Sequence, residues 1–227
     1  QKAYDSLIVE FKEKSIFFVK QQSRKTFKPQ LIELLKKAND RLFFLVDDIL
    51  FTEEFDINSI KNIDPVSGIF SLRLGKNLKR CYTLQKEQRL PEFAVSGSNP
   101  EFVQWFWKNG EYDWNYPLSV DGNVFLREEM LAMTEIIDFH SPNSFEANLQ
   151  IFKPYFTERA GYCLKKSPLV NLPINRVQND IDNVHGNIDP EYLLKKWNEG
   201  LAINYKKIYG FVNESAHQEI EISFTKR

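Results

Sequence analysis

Cysteine is scarce. Cys81 and Cys163 are the only two in 227 residues, too few for a disulfide framework and without the paired spacing of a zinc site, which fits a reducing compartment. Long apolar runs are missing too: the longest, around Ile16–Val19 and Leu42–Val46, fall far short of the ~20 residues a membrane-spanning helix needs. Neither sign of charge is in excess. Thirty Lys and Arg stand against 31 Asp and Glu, a net charge of −1, so no nucleic-acid binding driven by bulk electrostatics is expected. A Gly-rich phosphate loop, a Gly-x-Ser-x-Gly elbow and a His-Glu-x-x-His pair are all lacking, which weakens nucleotide-triphosphatase, serine-hydrolase and zinc-protease readings. The opening residues do not read as a secretory leader, and the expected location is cytoplasmic, peripheral at most at the inner face of the membrane. What the chain does hold is apolar bulk: 42% hydrophobic residues, with 19 Phe, 9 Tyr and 4 Trp, enough for a sizeable core and against disorder.

Hydrophobic spacing then divides the chain. Tyr4, Leu7, Ile8 and Phe11 recur at helical period, and Ser15–Lys20 (SIFFVK) reads as a short buried strand. Pro29 opens a helix over Gln30–Ala38, with Lys36 and Lys37 near its end. Arg41–Val46 (RLFFLV) is a second apolar strand, so strand, helix and strand form a βαβ unit with a parallel sheet. Gly68–Leu74 predicts a strand, Arg127–Ile137 a helix, and a further helix starts near Ser144. Pro190 begins another, running to about Ala202, and alternating Ile220, Ile222 and Phe224 suggest an edge strand. No repeat or long linker divides the chain, which reads as a single α/β domain over 1–227.

Several residues carry chemistry in this frame. Asp47-Asp48 ends the most apolar strand, and open α/β sheets bind ligands beyond the carboxyl ends of their strands. Two hard carboxylates there suit Mg2+ or Mn2+ shared with a diphosphate; the plainer reading makes Asp48 a helix cap and Asp47 a solvated acid. Tyr116–Gly122 (YPLSVDG) is an aromatic approach to an Asp-Gly turn, either a sugar platform with Asp121 accepting hydroxyls or an ordinary hairpin. In Ser141–Glu146, Asn143 or Ser144 can cap a helix whose first turn holds Glu146, as a dipole partner or as a general base facing a pocket. Asn171–Asn175 with Arg176 is rich in amides, fit for hydroxyls or phosphate, or for satisfying its own loop. Of three histidines, His185 sits best for a ligand, His140 reads as structural, and His217 has no evident partner.

Taken in order, FFLVDDIL (43–50), FSLRLGKN (70–77), WNYPLSVDGNV (114–124), PNSFE (142–146) and NLPINRVQ (171–178) resemble a GT-A-type glycosyltransferase of the nucleotide-diphospho-sugar transferase superfamily. The order is most similar to a little-described bacterial group, and covers about Ile16 to Leu201. The resemblance implies a Rossmann-like, mixed but mostly parallel sheet flanked by helices. A nucleotide-binding half would occupy 1–60 and an acceptor half 61–227. It implies that Asp48 and Asp47 stand at the acidic metal and diphosphate motif, although the pair is adjacent rather than Asp-x-Asp. By the same likeness Arg73, Gly122, Asn175 and Arg176 join Asp47 around the donor, His185 matches a late metal or diphosphate histidine, and Glu146, alternatively Asp121, is the base. Trp105, Trp107, Trp114 and Tyr116 are candidates for the acceptor platform. Such enzymes open with a further strand and helix. The chain starts at Gln1 without them, so a front βα unit of roughly 50 residues is expected to be missing.

The expected activity is transfer of a hexose from a nucleotide-diphosphate sugar to a sugar hydroxyl, metal-assisted and inverting, with a nucleotide-sugar donor and a carbohydrate acceptor as partners. A non-catalytic nucleotide- or carbohydrate-binding module on the same fold is the alternative. A phosphohydrolase with Asp47 as nucleophile is a third reading, disfavoured for want of the supporting Ser/Thr and Lys.

Overall fold

The computed structural model describes residues 2–95, 100–174 and 188–227. They form a mixed α/β structure of small sheets. Helix α1 (Lys2–Glu10) buries none of its residues, and α2 (Phe27–Lys37) turns Leu35 inward. Strand β1 (Arg41–Phe43) is followed by a turn at Asp47-Asp48 and then by β2 (Ile49–Phe51). The central sheet has β3 (Gly68–Ser71), β9 (Ala160–Leu164), β7 (Phe102–Phe106) and β6 (Ala94–Val95) in that spatial order. Its β3–β9 pair is parallel and its other pairs are antiparallel.

Strand β1 pairs antiparallel with β8 (Val124–Leu126), and an isolated Ser71–Asn123 bridge joins β8 to β3. The sheet thus continues from β1 through β8 into β3. Strand β2 pairs with β10 (Leu169–Asn171), β4 (Arg80–Cys81) with β5 (Lys86–Glu87), and β11 (Leu201–Ile203) with β12 (Phe224–Lys226), all antiparallel. Helices α3 (Arg127–Ile136), α4 (Pro142–Leu149), α5 (Lys153–Phe156) and α6 (Pro190–Asn198) complete the set.

Two expectations are corrected. Ser15–Lys20 forms no strand: the segment is exposed, with Phe17 at 90%, and no ladder receives it among the described residues. The βαβ unit read there is therefore absent. Nor is the sheet mostly parallel, since among the described strand pairs β3–β9 alone is parallel and the other six are antiparallel. Apolar content marks a segment as able to be a strand, whereas pairing needs a neighbour's free backbone edge.

The main core explains the aromatic richness. Trp105, Trp107 and Trp114 are almost wholly buried and pack edge to face, with Trp105 centroids 4.8 Å from Trp107 and 5.0 Å from Trp114. Trp105 Nε1 donates to the Trp114 carbonyl and Trp114 Nε1 to that of Leu78. T-shaped packing of rings this deeply buried is core architecture, so these three tryptophans are not an acceptor platform.

Candidate functional site

Four segments converge on one cavity of about 750 Å3: the turn after β1, Arg73 just beyond β3, the Val120–Gly122 turn before β8, and the first residues of α4. The turn around Asp121 is no hairpin. Gly122 donates its N–H to the Phe44 carbonyl and accepts from Leu72 N–H, so the chain threads between the ends of β1 and β3. Gly122 has φ +87°, and an added Cβ would lie 3.2 Å from Leu169 Cδ2 and 3.3 Å from Leu72 Cβ. A glycine lets the turn pass there and presents Asp121 to the cavity.

Helix α4 begins with a capping box centred on Ser141, whose hydroxyl accepts from Ser144 N–H while Ser144 Oγ accepts from Ser141 N–H. Ser141 is thus the cap, two or three residues before the Asn143 or Ser144 read from the sequence. Pro142 follows it at the helix start, where a missing N–H costs nothing. Glu146 then faces the cavity, and its Oε1 accepts the Val120 N–H at 3.1 Å. Burial, reinforced by the charge of Asp121, pushes its carboxyl up to about 7.

Asp48 behaves similarly. Burial, then repulsion from Asp121 and Asp47, raises it to about 6, and its buried Oδ1 has no hydrogen-bond partner among the described residues. Asp47 beside it is exposed. No helix follows Asp48 for it to cap; its carbonyl instead accepts the Leu172 N–H. An orphaned carboxylate oxygen among like charges fits a divalent cation held through Asp48 with Asp47 beside it. No group of three or more His, Cys, Asp or Glu among the described residues encloses such an ion, so its remaining oxygens would come from water or a phosphate.

Asp121 is the opposite case. Burial would raise it, but a hydrogen bond and ion pair with His217 (Oδ2 to Nε2, 3.3 Å), together with Arg73, outweigh burial and hold it below the usual range. His217 is raised in turn: burial works against its charge, and Asp121 overcomes that. The sequence left His217 without a partner, and the structure corrects this. An Asn171–His217 bridge, with Asn171 N–H on the Ala216 carbonyl and Gln218 N–H on that of Asn171, carries the C-terminal segment to β10 and into the cavity. No local pattern announces that contact.

Arg73 is 3% exposed and donates from Nη2 to Asp113 Oδ1 at 2.7 Å. Burial opposes its charge, yet Asp113, then Asp121 and Glu146, raise its pKa further, so it is a permanent cation among acids. Tyr116 lines the same cavity, half-buried, its phenol raised by burial and by Glu146. Of the sequence candidates, then, Asp47, Asp48, Arg73, Asp121, Gly122 and Glu146 come together. Asn175, Arg176 and His185 lie outside the described residues.

No helix among the described residues is long and apolar enough to cross a membrane. No protein-family model matches the chain, and no solved structure matches it. Among curated proteins it is similar to the bifunctional glycosyltransferase pgtA of Dictyostelium discoideum, at 27% identity over 191 residues, or 73% of this chain. The match covers 24% of that protein, so the chain spans about a quarter of the length of the curated relative it resembles.

Proposed function

We propose that this chain is a glycosyltransferase that moves a hexose from a nucleotide-diphosphate sugar to an acceptor hydroxyl, on a GT-A-like fold. The observation that carries the reading is the meeting of Asp48, Asp121 and Glu146 around Arg73 in one cavity. Similarity to a bifunctional glycosyltransferase supports it. The donor diphosphate would lie at Asp47 and Asp48. A Mg2+ or Mn2+ ion held there supplies neutralisation of diphosphate charge.

Glu146 is the base. With a carboxyl near neutrality it is partly ionised at working pH yet basic enough to take the acceptor proton, the balance general-base catalysis requires. The Val120 N–H holds its Oε1 and the Ser119 side chain hydrogen-bonds the same carboxyl, so the base is fixed in place at the cavity. Asp121, committed to His217 and kept ionised, serves as a fixed anion that orients sugar hydroxyls rather than as the base. Single displacement at the anomeric carbon would invert configuration.

A thermal-shift screen of nucleotide-sugars with and without Mn2+ tests this, because a ligand of the folded state stabilises it in proportion to the logarithm of concentration over Kd. A Mn2+-dependent shift with one donor family, followed by transfer or slow donor hydrolysis, is expected. Binding without either would assign a non-catalytic module, and release of phosphate from an aryl phosphate would assign a phosphohydrolase.

A further inference from the structure

The cavity also has a wall that the charged cluster does not use. It is built from the turn of the β4–β5 hairpin, Tyr82, Thr83 and Leu84, together with Tyr112. Tyr112 is 38% exposed and holds φ 45°, in the left-handed region that bulky residues avoid. Both its neighbours are clamped. Glu111 accepts from Arg89 through the backbone N–H at 3.0 Å and through Nε at 2.7 Å. Asp113 accepts from Arg73 at 2.7 Å, and its N–H donates to Gln88 Oε1 at 3.2 Å.

Gln88 also donates to the Arg80 carbonyl at 3.1 Å, and Tyr82 N–H donates to Ser215 Oγ at 3.0 Å. Hairpin, Tyr112 and Arg73 are therefore one connected piece. The surroundings over-determine an unfavourable backbone, and its result is an aromatic ring on the cavity wall.

The position of that ring is informative. The charged groups run from Asp47 and Asp48 through Asp121 to Arg73 and Asp113, and Tyr112 adjoins the far end. A diphosphate belongs at the first end. The second presents the Tyr112 ring, with Lys86 Nζ 5.8 Å from its centroid over one face, the Leu84 side chain and the Thr83 hydroxyl, which match the apolar face and hydroxyl edge of a pyranose laid on the ring's other face.

We propose that Tyr112, with the Tyr82–Leu84 turn beside it, is the platform on which a pyranose ring of the acceptor lies, so that the acceptor is a glycan or glycoside. This rests on the glycosyl-transfer reading above and names the acceptor class for it. It replaces the buried tryptophans with the exposed Tyr112 as the sugar-facing aromatic.

Saturation-transfer NMR on the full chain tests the platform, using methyl β-galactoside, methyl β-glucoside, methyl α-mannoside and methyl N-acetyl-β-glucosaminide, with UDP and GDP as nucleotide probes. At least one glycoside should give ring-proton signals with the wild type and with Tyr112→Phe. Those signals should fall about five- to tenfold with Tyr112→Ala and Tyr112→Gly, while nucleotide signals stay unchanged. Tyr112→Gly separates binding from folding: it relaxes the left-handed backbone, so its melting temperature should hold or rise while the glycoside signal is lost.

Unchanged glycoside signals in Tyr112→Gly, or none with the wild type, would overturn the platform. Loss of nucleotide rather than glycoside signals would overturn it in favour of nucleobase stacking. If the wild type binds glycosides through Tyr112 but no nucleotide, the platform stands and the transferase reading fails.

Discussion

His217 Nε2 lies 3.3 Å from Asp121 Oδ2, and this contact separates Asp121 electrostatically from its two acidic neighbours. Asp121 is held down by its imidazole partner, whereas Asp48 and Glu146 are pushed up by burial and by Asp121 itself. Environments that drive neighbouring acids apart in this way assign them different roles.

Replacing His217 with Gln should therefore leave a buried carboxylate without its cation, at a cost on the order of 2–3 kcal/mol. The raised histidine contributes stability that is full below about pH 6.5 and lost as pH rises through its folded value. The lowered aspartate contributes stability present above about pH 3.9 and lost as pH falls through its folded value. The difference in melting temperature between wild type and His217→Gln should thus be widest between those limits and narrow as pH rises through the folded value of the histidine. A difference that does not shrink as pH rises above 6.5 would contradict the ion pair.

Glu146→Gln should separate stability from turnover. A carboxyl raised to about 7 favours folding below about pH 4.3 and loses that contribution as pH climbs through 7. The amide avoids this loss and can still accept the Val120 N–H. The variant should gain on the order of 1–3 kcal/mol over wild type at pH 8, with little difference at pH 4.5. Transfer should drop about 10²- to 10⁴-fold with donor binding intact. Calorimetric scans across pH and initial rates read the two effects separately.

Asp48→Asn removes one charge from a cluster that repels it. Without metal, the variant should melt no lower than wild type at pH 7.5. Mn2+ should stabilise the wild type and release protons near pH 6, since an occupied carboxylate must be ionised. In isothermal titration the Asp48→Asn variant should show neither response, and a full Mn2+ response in it would remove Asp48 from the metal site.

Arg73→Met should be the most damaging of these changes, at about 3–5 kcal/mol, because Asp113 stays buried without its guanidinium. Adding Asp113→Leu should recover a substantial part of the loss. A double-mutant cycle by urea denaturation measures the coupling, and purely additive losses would show that the pair does not act as a unit.

Gly122→Ala tests the turn that presents Asp121. With φ at +87° and Leu169 and Leu72 within 3.3 Å of the new Cβ, a loss of about 2 kcal/mol is expected, read by chemical denaturation.

Local signals were legible where short-range physics decides. A helix in Ser141–Glu146 with Glu146 near its start was readable, although its cap is Ser141 rather than Asn143 or Ser144, and the apolar segment before Asp47-Asp48 leads both acids to the cavity, although its strand ends at Phe43. Helix α3 lies where hydrophobic spacing put it. The same short-range signals failed where a partner was required. Ser15–Lys20 has the content of a strand but no ladder, and the Trp105–Trp107–Trp114 cluster has sugar-binding chemistry but lies inside the core.

Spacing and capping alone therefore determined which residues could carry charge to a pocket. The tertiary structure decided which do so together. His217 meets Asp121 only because the C-terminal segment pairs with Asn171, and Arg73 meets Asp113 only because both are buried against one hairpin. Such contacts depend on distant backbone edges finding one another, and no window of neighbouring residues encodes that energy.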